Sequence, residues 1–119
     1  MKILLVDDNQ SITTMMSKYL TIKGHDCTVS NDGRNGLSLI ENQKFDVVLL
    51  DIAMPEFTGF DLIDALEKKG KLKEQKIIFF TASSVKNEQI EEYLKKGVHS
   101  CIKKPVQLET LLKAIGGVN

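Results

Sequence analysis

Apolar residues along the chain follow two alternating rhythms. Short unbroken runs, Ile3-Leu4-Leu5-Val6, Val47-Val48-Leu49-Leu50 and Ile77-Ile78-Phe79-Phe80, are each bounded by polar residues. Runs of that length read as strands buried on both faces. They predict strands over 2–6, 46–50 and 76–80. Two weaker β-prone stretches, 26–30 (Cys27-Thr28-Val29) and 100–103, predict a second and a fifth strand. Between the runs the spacing changes to that of a helix. From 11 to 23 the apolar positions are Ile12, Met15, Met16, Tyr19 and Leu20, the i, i+3, i+4, i+7, i+8 pattern of one buried face. Similar stripes predict helices over 34–42 (Leu37, Ile40, with Leu39 beside them), 59–69 (Phe60, Leu62, Ile63, Leu66) and 86–96 (Ile90, Tyr93, Leu94). A fifth covers 108–115 (Leu108, Leu111, Leu112, Ile115).

Glycines at 24, 70, 97 and 116–117 stand where helices should stop, and Asn31-Asp32-Gly33 reads as a turn. Residues 71–75 read as a charged, solvated connection, and Ser83 or Ser84 as the cap of the fourth helix. Five alternations of strand and helix imply one α/β domain with a parallel sheet, right-handed crossovers and helices on both faces. The expected domain is 1–119, with nothing left over for an output module.

Composition narrows the function. Lys plus Arg and Asp plus Glu both number 16, so the formal net charge is zero. Binding nucleic acid through bulk charge needs a basic surplus, so direct nucleic-acid binding is not expected. No apolar run reaches the length that spans a bilayer, and the apolar start ends at once in two acids, unlike a signal peptide. A cytoplasmic protein without a membrane partner is expected. Cys27 and Cys101 lie in predicted strands without metal spacing, and read as reduced core thiols. His25 and His99 are isolated and take no role.

The chemistry lies where strands end. Strand 1 ends in Asp7-Asp8, strand 3 in Asp51, strand 4 in Thr81, and strand 5 in Lys103-Lys104 before Pro105. In a parallel sheet these ends share one edge, the edge where ligands bind. Asp7 and Asp8 both face that cleft only if the chain has left the strand by Asp8, because strand neighbours point to opposite faces. Three carboxylates together repel one another, and a hard divalent cation such as Mg²⁺ or Mn²⁺ relieves that. A single strand-end Asp is most simply a turn or cap residue; this ordered set is not.

Taken together, Leu5-Val6-Asp7-Asp8, Leu49-Leu50-Asp51-Ile52-Ala53-Met54-Pro55, Gly59, Phe80-Thr81-Ala82 and Lys104-Pro105 resemble the receiver domain of two-component response regulators, of the chemotaxis-regulator-like kind. The resemblance covers the whole chain. It implies a flavodoxin-like, doubly wound five-stranded parallel sheet in the order 2-1-3-4-5 with five helices. It implies that Asp51 accepts a phosphoryl group from a histidine kinase or a histidine phosphotransfer protein, and that the change switches binding to a downstream partner. Asp8 and Asp51 would bind Mg²⁺ directly, Asp7 through water, with the Ala53 carbonyl as a further ligand. Thr81 would hydrogen-bond the phosphoryl oxygens and Lys104 pair with them. Lys103 competes with Lys104, but Lys104 directly precedes Pro105, a bond commonly cis in the family. Such a domain catalyses only its own phosphorylation and dephosphorylation.

This chain departs from the family at Cys101. An aromatic residue usually sits there, three before the Lys of the Lys-Pro pair, and reports the Thr position. A small thiol does not fill that pocket, and readout through backbone shifts is expected instead. Ala53 and Ser83, each two residues past a site residue, are small. A haloacid-dehalogenase-type phosphatase would want an acid where Ala53 stands, and a cap domain. A flavodoxin-like cofactor binder would want a phosphate-cradling loop where Asp7-Asp8 stand. A degenerate receiver, acting as an interaction module without phosphorylation, is the alternative, though such members typically lack one of the acids or the Lys. On helix 1, core packing accounts for most of Met15, Met16 and Tyr19, with Met15 expected at the rim of a surface that docks the phosphodonor protein.

Overall fold

The structure is a computed structural model that describes residues 1–82, 85–104 and 108–116. The strands are β1 (Lys2–Val6), β2 (Asp26–Ser30), β3 (Val47–Leu50), β4 (Ile77–Ala82) and β5 (Ser100–Lys104). The helices are α1 (Gln10–Ile22), α2 (Gly33–Asn42), α3 (Gly59–Lys68), α4 (Asn87–Lys96) and α5 (Leu108–Gly116). The strands form one parallel sheet in the order β2-β1-β3-β4-β5, as expected.

Alternation along each central strand divides the core into two layers. Leu4, Val6, Val48, Leu50, Ile77 and Phe79 face one side, packed with Ile40, Leu62, Ile63, Leu66, Ile90 and Tyr93 of α2, α3 and α4. Ile3, Leu5, Val47, Leu49, Ile78 and Phe80 face the other, against Met16, Leu20, Leu111 and Ile115 of α1 and α5. A strand apolar at every position is therefore satisfied on both faces, which is why the runs are unbroken. Truncating one such side chain, as in Leu50→Ala, would cost about 2–5 kcal/mol.

Several boundaries move for local reasons. α1 starts at Gln10, one residue early, because the Asn9 side chain accepts from the Ile12 N–H as N-cap. Asp32 caps α2 in the same way, so the helix begins within the expected turn. β3 starts at Val47, since the Asp46 carboxylate turns away to accept from the Lys2 N–H at 2.7 Å. The expected loop at 71–75 holds one turn of 3₁₀ helix, Leu72–Glu74, because Leu72 is drawn into the core. Thr58 and Asp61 start α3 with a reciprocal capping box. Met15 is 52% exposed and so is not core, whereas Met16 is buried. The two thiols are half-buried rather than fully interior. Ser83, Ser84, Pro105 and Gly117 lie outside the described residues, and with them the expected cap, the Lys104-Pro105 bond and the second stop glycine.

Candidate functional site

Strand order decides which residues meet. β1 and β3 are neighbours in the middle of the sheet, yet α1 leads from β1 to one side and α3 from β3 to the other. Their carboxyl ends flank the point where the winding reverses, the usual ligand crevice of such sheets. Val6 and Leu50 pair in register, and the Asp51 N–H donates to the Val6 carbonyl at 2.8 Å. Asp7 and Asp51 therefore leave neighbouring strands at the same level. Both strands have ended by these residues, so Asp8 is freed from strand geometry and joins them. Ligand oxygens of Asp7, Asp8 and Asp51 all lie within 4.8 Å of one another. Asp7 and Asp51 are buried, and Asp8 is exposed.

Lys104 crosses from the far edge of the sheet to neutralise part of this charge. Its Nζ donates to Asp7 Oδ2 at 2.7 Å and lies 3.9 Å from Asp51 Oδ1. The ammonium also stands over the Phe80 ring, 5.2 Å from the centroid. β5 runs one residue further than expected, through Lys104, and alternation sends Lys103 the other way to bond Asn87 of α4. That pleat turns Lys104, and not Lys103, toward the acids.

One ammonium does not balance three acids. The Asp51 carboxyl is pushed up to about 6, first by burial and then by the charge of Asp7, with Asp8 adding to the rise. Lys104 and the Ala53 backbone N–H pull against it. Oxygen donors alone, crowded and under-neutralised, suit a hard divalent cation rather than a softer metal. Thr81 is wholly buried, and its Oγ1 has no hydrogen-bond partner among the described residues. A buried hydroxyl left so calls for an acceptor or donor that the described residues do not supply.

The loop after Asp51 is held close. A Cβ on Gly59 would meet the Asp51 carbonyl oxygen at 2.6 Å and Ile52 Cα at 2.8 Å, so only glycine lets α3 start there. Phe57 donates its N–H to the Pro55 carbonyl at 2.6 Å across Glu56, whose φ is +65°. The turn lays the Phe57 ring beneath the Arg34 guanidinium of α2, 4.7 Å from the centroid.

Comparison with known proteins decides what this arrangement belongs to. Residues 3–116 match the family model described as the response regulator receiver domain. The chain belongs to that family. Protein PilH of Pseudomonas aeruginosa is 32% identical over 117 residues, covering 98% of this chain and 96% of PilH. The solved chemotaxis protein CheY4 of Vibrio cholerae is 32% identical with a TM-score of 0.87, covering 99% of this receiver and 98% of CheY4. The response regulator TrrA of Thermotoga maritima, solved in complex with Mg(2+)-BeF, is 26% identical with a TM-score of 0.84 over the full length of both chains. Other relatives are longer: the receiver spans 52% of the probable transcriptional regulator ycf29 of Pyropia yezoensis and 12% of the sensor histidine kinase RcsC of Salmonella typhimurium. Among the described residues no helix is long and apolar enough to cross a membrane.

The expected acids and Lys104 thus meet, with Thr81 at the end of the neighbouring strand. The residues that hold them in place were not anticipated. Asn9, Asn31, Asn35, Ser30 and Thr13 form a polar layer behind Asp7. The one available signal was the density of Asn and Ser at the ends of β1 and β2.

Proposed function

We propose that this receiver accepts a phosphoryl group on Asp51 with the help of Mg²⁺, and so switches its affinity for a downstream protein. The observation that carries the reading is the convergence of three carboxylates with a single lysine at the carboxyl edge of the sheet. Asp8, Asp51 and the Ala53 carbonyl would hold the cation, and Asp7 would act through water; Mn²⁺ would suit the same donors. When bound, the cation supplies charge neutralisation for the acids and for the phosphoryl oxygens.

An ionised Asp51 oxygen attacks phosphorus, and the phosphorus–nitrogen bond of a phosphohistidine breaks as the imidazole leaves with its electron pair. Lys104 compensates charge on the transferring group, and the Thr81 hydroxyl donates to one of its oxygens. The acyl phosphate brings about −1.5 to −2 charge to this point. Lys104 would then divide its attention between Asp7 and the new anion, and Thr81 would be drawn toward the phosphoryl oxygens. The half-buried Cys101 pairs with Phe79 in register across β4 and β5, where the family has an aromatic reporter, so motion of β4 passes to α4 through backbone rather than through a ring flip.

A histidine kinase or histidine phosphotransfer protein is the fitting donor, and Met15 marks its rim on α1, beside Lys18. Met15→Lys should weaken transfer from the protein donor while leaving labelling by acetyl phosphate intact; equal loss of both would reject that docking site. The function itself is tested by incubation with acetyl phosphate and MgCl₂ followed by intact mass. One phosphoryl increment is expected, lost in Asp51→Asn and in EDTA. An adduct that is stable to acid, or that survives Asp51→Asn, would leave a phosphorylation-independent interaction module as the better reading.

A further inference from the structure

The acid pair sits on a loop that its own charge should push outward. Asp7, Asp8 and Asp51 face a single ammonium, so repulsion favours swinging the 7–9 turn away from Asp51. Something uncharged must hold it. The Asp7 carboxylate is fixed at both oxygens, Oδ1 by the Asn9 N–H at 2.9 Å and Oδ2 by Lys104 at 2.7 Å. The Asp7 main chain is fixed at both ends as well. Its N–H donates to the Ser30 carbonyl at 3.1 Å, and its carbonyl accepts from Asn31 Nδ2 at 2.8 Å. The second bond is not a sheet bond. β1 ends at Val6, and the side-chain amide of Asn31 takes up the first carbonyl past the strand.

Asn31 has two amide hydrogens and uses both. The other goes to Thr13 Oγ1 at 3.1 Å, on the buried side of α1. Thr13 in turn donates to the Gln10 carbonyl at 3.2 Å. Behind Asn31, Asn35 donates to Ser30 Oγ, and Ser30 Oγ donates to the Asp32 carbonyl, both at 2.9 Å. One amide therefore ties the end of β1 to the start of α1, across the turn that carries Asp8. Among the described residues no hydrogen bond holds the Asp8 carboxylate itself, so its aim is set by the backbone on either side.

We propose that Asn31 is a positioning residue for the metal-binding acids. It braces the Asp7 carbonyl against the mutual repulsion of the carboxylates and so keeps the Asp8 oxygens at the distance a cation needs. The inference rests on the Mg²⁺ reading above. Partners behind the ligands commonly set metal affinity by 10–100-fold, because a ligand displaced by about an ångström no longer fits.

The test is a MgCl₂ titration of wild type, Asn31→Leu and Thr13→Val, followed by the amide resonances of Asp8, Asn9 and Ala53. Leucine keeps the branched outline of asparagine, though it is bulkier, and removes both donors without adding charge. Asn31→Leu should raise the Mg²⁺ Kd about tenfold. Thr13→Val, which frees Asn31 from α1, should raise it less, and should add nothing on top of Asn31→Leu because the two act through one bond chain. Urea unfolding in EDTA separates aim from fold. A lower metal-free stability with an unchanged Kd would assign Asn31 a structural role only and overturn the proposal. Should Asn31→Leu fail to fold, Thr13→Val alone decides, and a wild-type Kd there overturns it. A wild type that takes up no Mg²⁺ sinks the metal reading as well; a wild type that binds, beside an Asn31→Leu that binds equally, sinks this inference alone.

Discussion

Asp51 carries a cost in the folded protein. In the unfolded chain its carboxyl titrates near 4, and in the fold it is pushed up to about 6. Between those values the folded chain keeps a proton that the unfolded chain has lost. Stability therefore falls as pH rises through that window, and the ionised Asp51 destabilises the metal-free fold at neutral pH. Asp51→Asn is expected to raise the unfolding free energy at pH 7 by about 1–3 kcal/mol, a gain that vanishes below about pH 4. Urea denaturation in EDTA at the two pH values checks this; an equal gain at both, or a loss at pH 7, contradicts it. The same rise means that Mg²⁺ uptake should weaken as pH drops through about 6, since a protonated Asp51 competes with the cation. The placing of the acids, Thr81 and Lys104 on one edge was legible because a parallel sheet sends every strand end to the same side. Asn31 was not legible. It lies 24 residues from Asp7, and an asparagine after a strand looks like any turn residue until the backbone carbonyl it serves is known.

At the scale of elements, α3 and α4 are joined by an aromatic and ionic contact. Phe60 stacks on Tyr93 at 4.4 Å, and both meet Phe79 edge-on. The Tyr93 hydroxyl donates to Asp64 at about 3 Å, and burial followed by that bond holds the phenol up at about 12. Tyr93→Phe keeps the ring stack and loses the bond, so it should cost about 1 kcal/mol by thermal or urea unfolding. A loss above about 3 kcal/mol would mean that the ring packing had also failed. On the other side of the site, Gly59→Ala places a methyl against the backbone of Asp51 and Ile52. It should cost about 1–3 kcal/mol and slow acetyl phosphate labelling, because relief of the clash moves Asp51. The helices themselves were legible from their stripes. The starts of α1 and α2 fell one residue before the stripe, because Asn9 and Asp32 are polar residues whose capping bonds depend on where the chain enters. Met15, expected at a rim, is half exposed at the margin of the helical stripe.

Across the whole molecule, the proposed cation binding would be linked to folding through one repulsion. The fold gathers three acids that an unfolded chain keeps apart, and a cation that binds only the gathered form must stabilise it. At a Mg²⁺ concentration about 100 times Kd the gain should be about 2.7 kcal/mol, seen as a higher melting temperature that Asp8→Ala and Asp51→Asn both abolish. Equal stabilisation of those variants would assign the effect to general ionic strength. The two-layer core was readable because the periods are strong and the connections short, whereas the sheet order came from the resemblance to receiver domains. The counterpoise of acids, lysine and amide brace belongs to the assembled protein and has no linear signature. The central claim is tested most directly by the anomalous difference map of a crystal grown with MnCl₂. The account predicts one peak, lying between carboxylate oxygens of Asp8 and Asp51 and the Ala53 carbonyl. A map with no peak there, or with manganese bound only elsewhere, would contradict it.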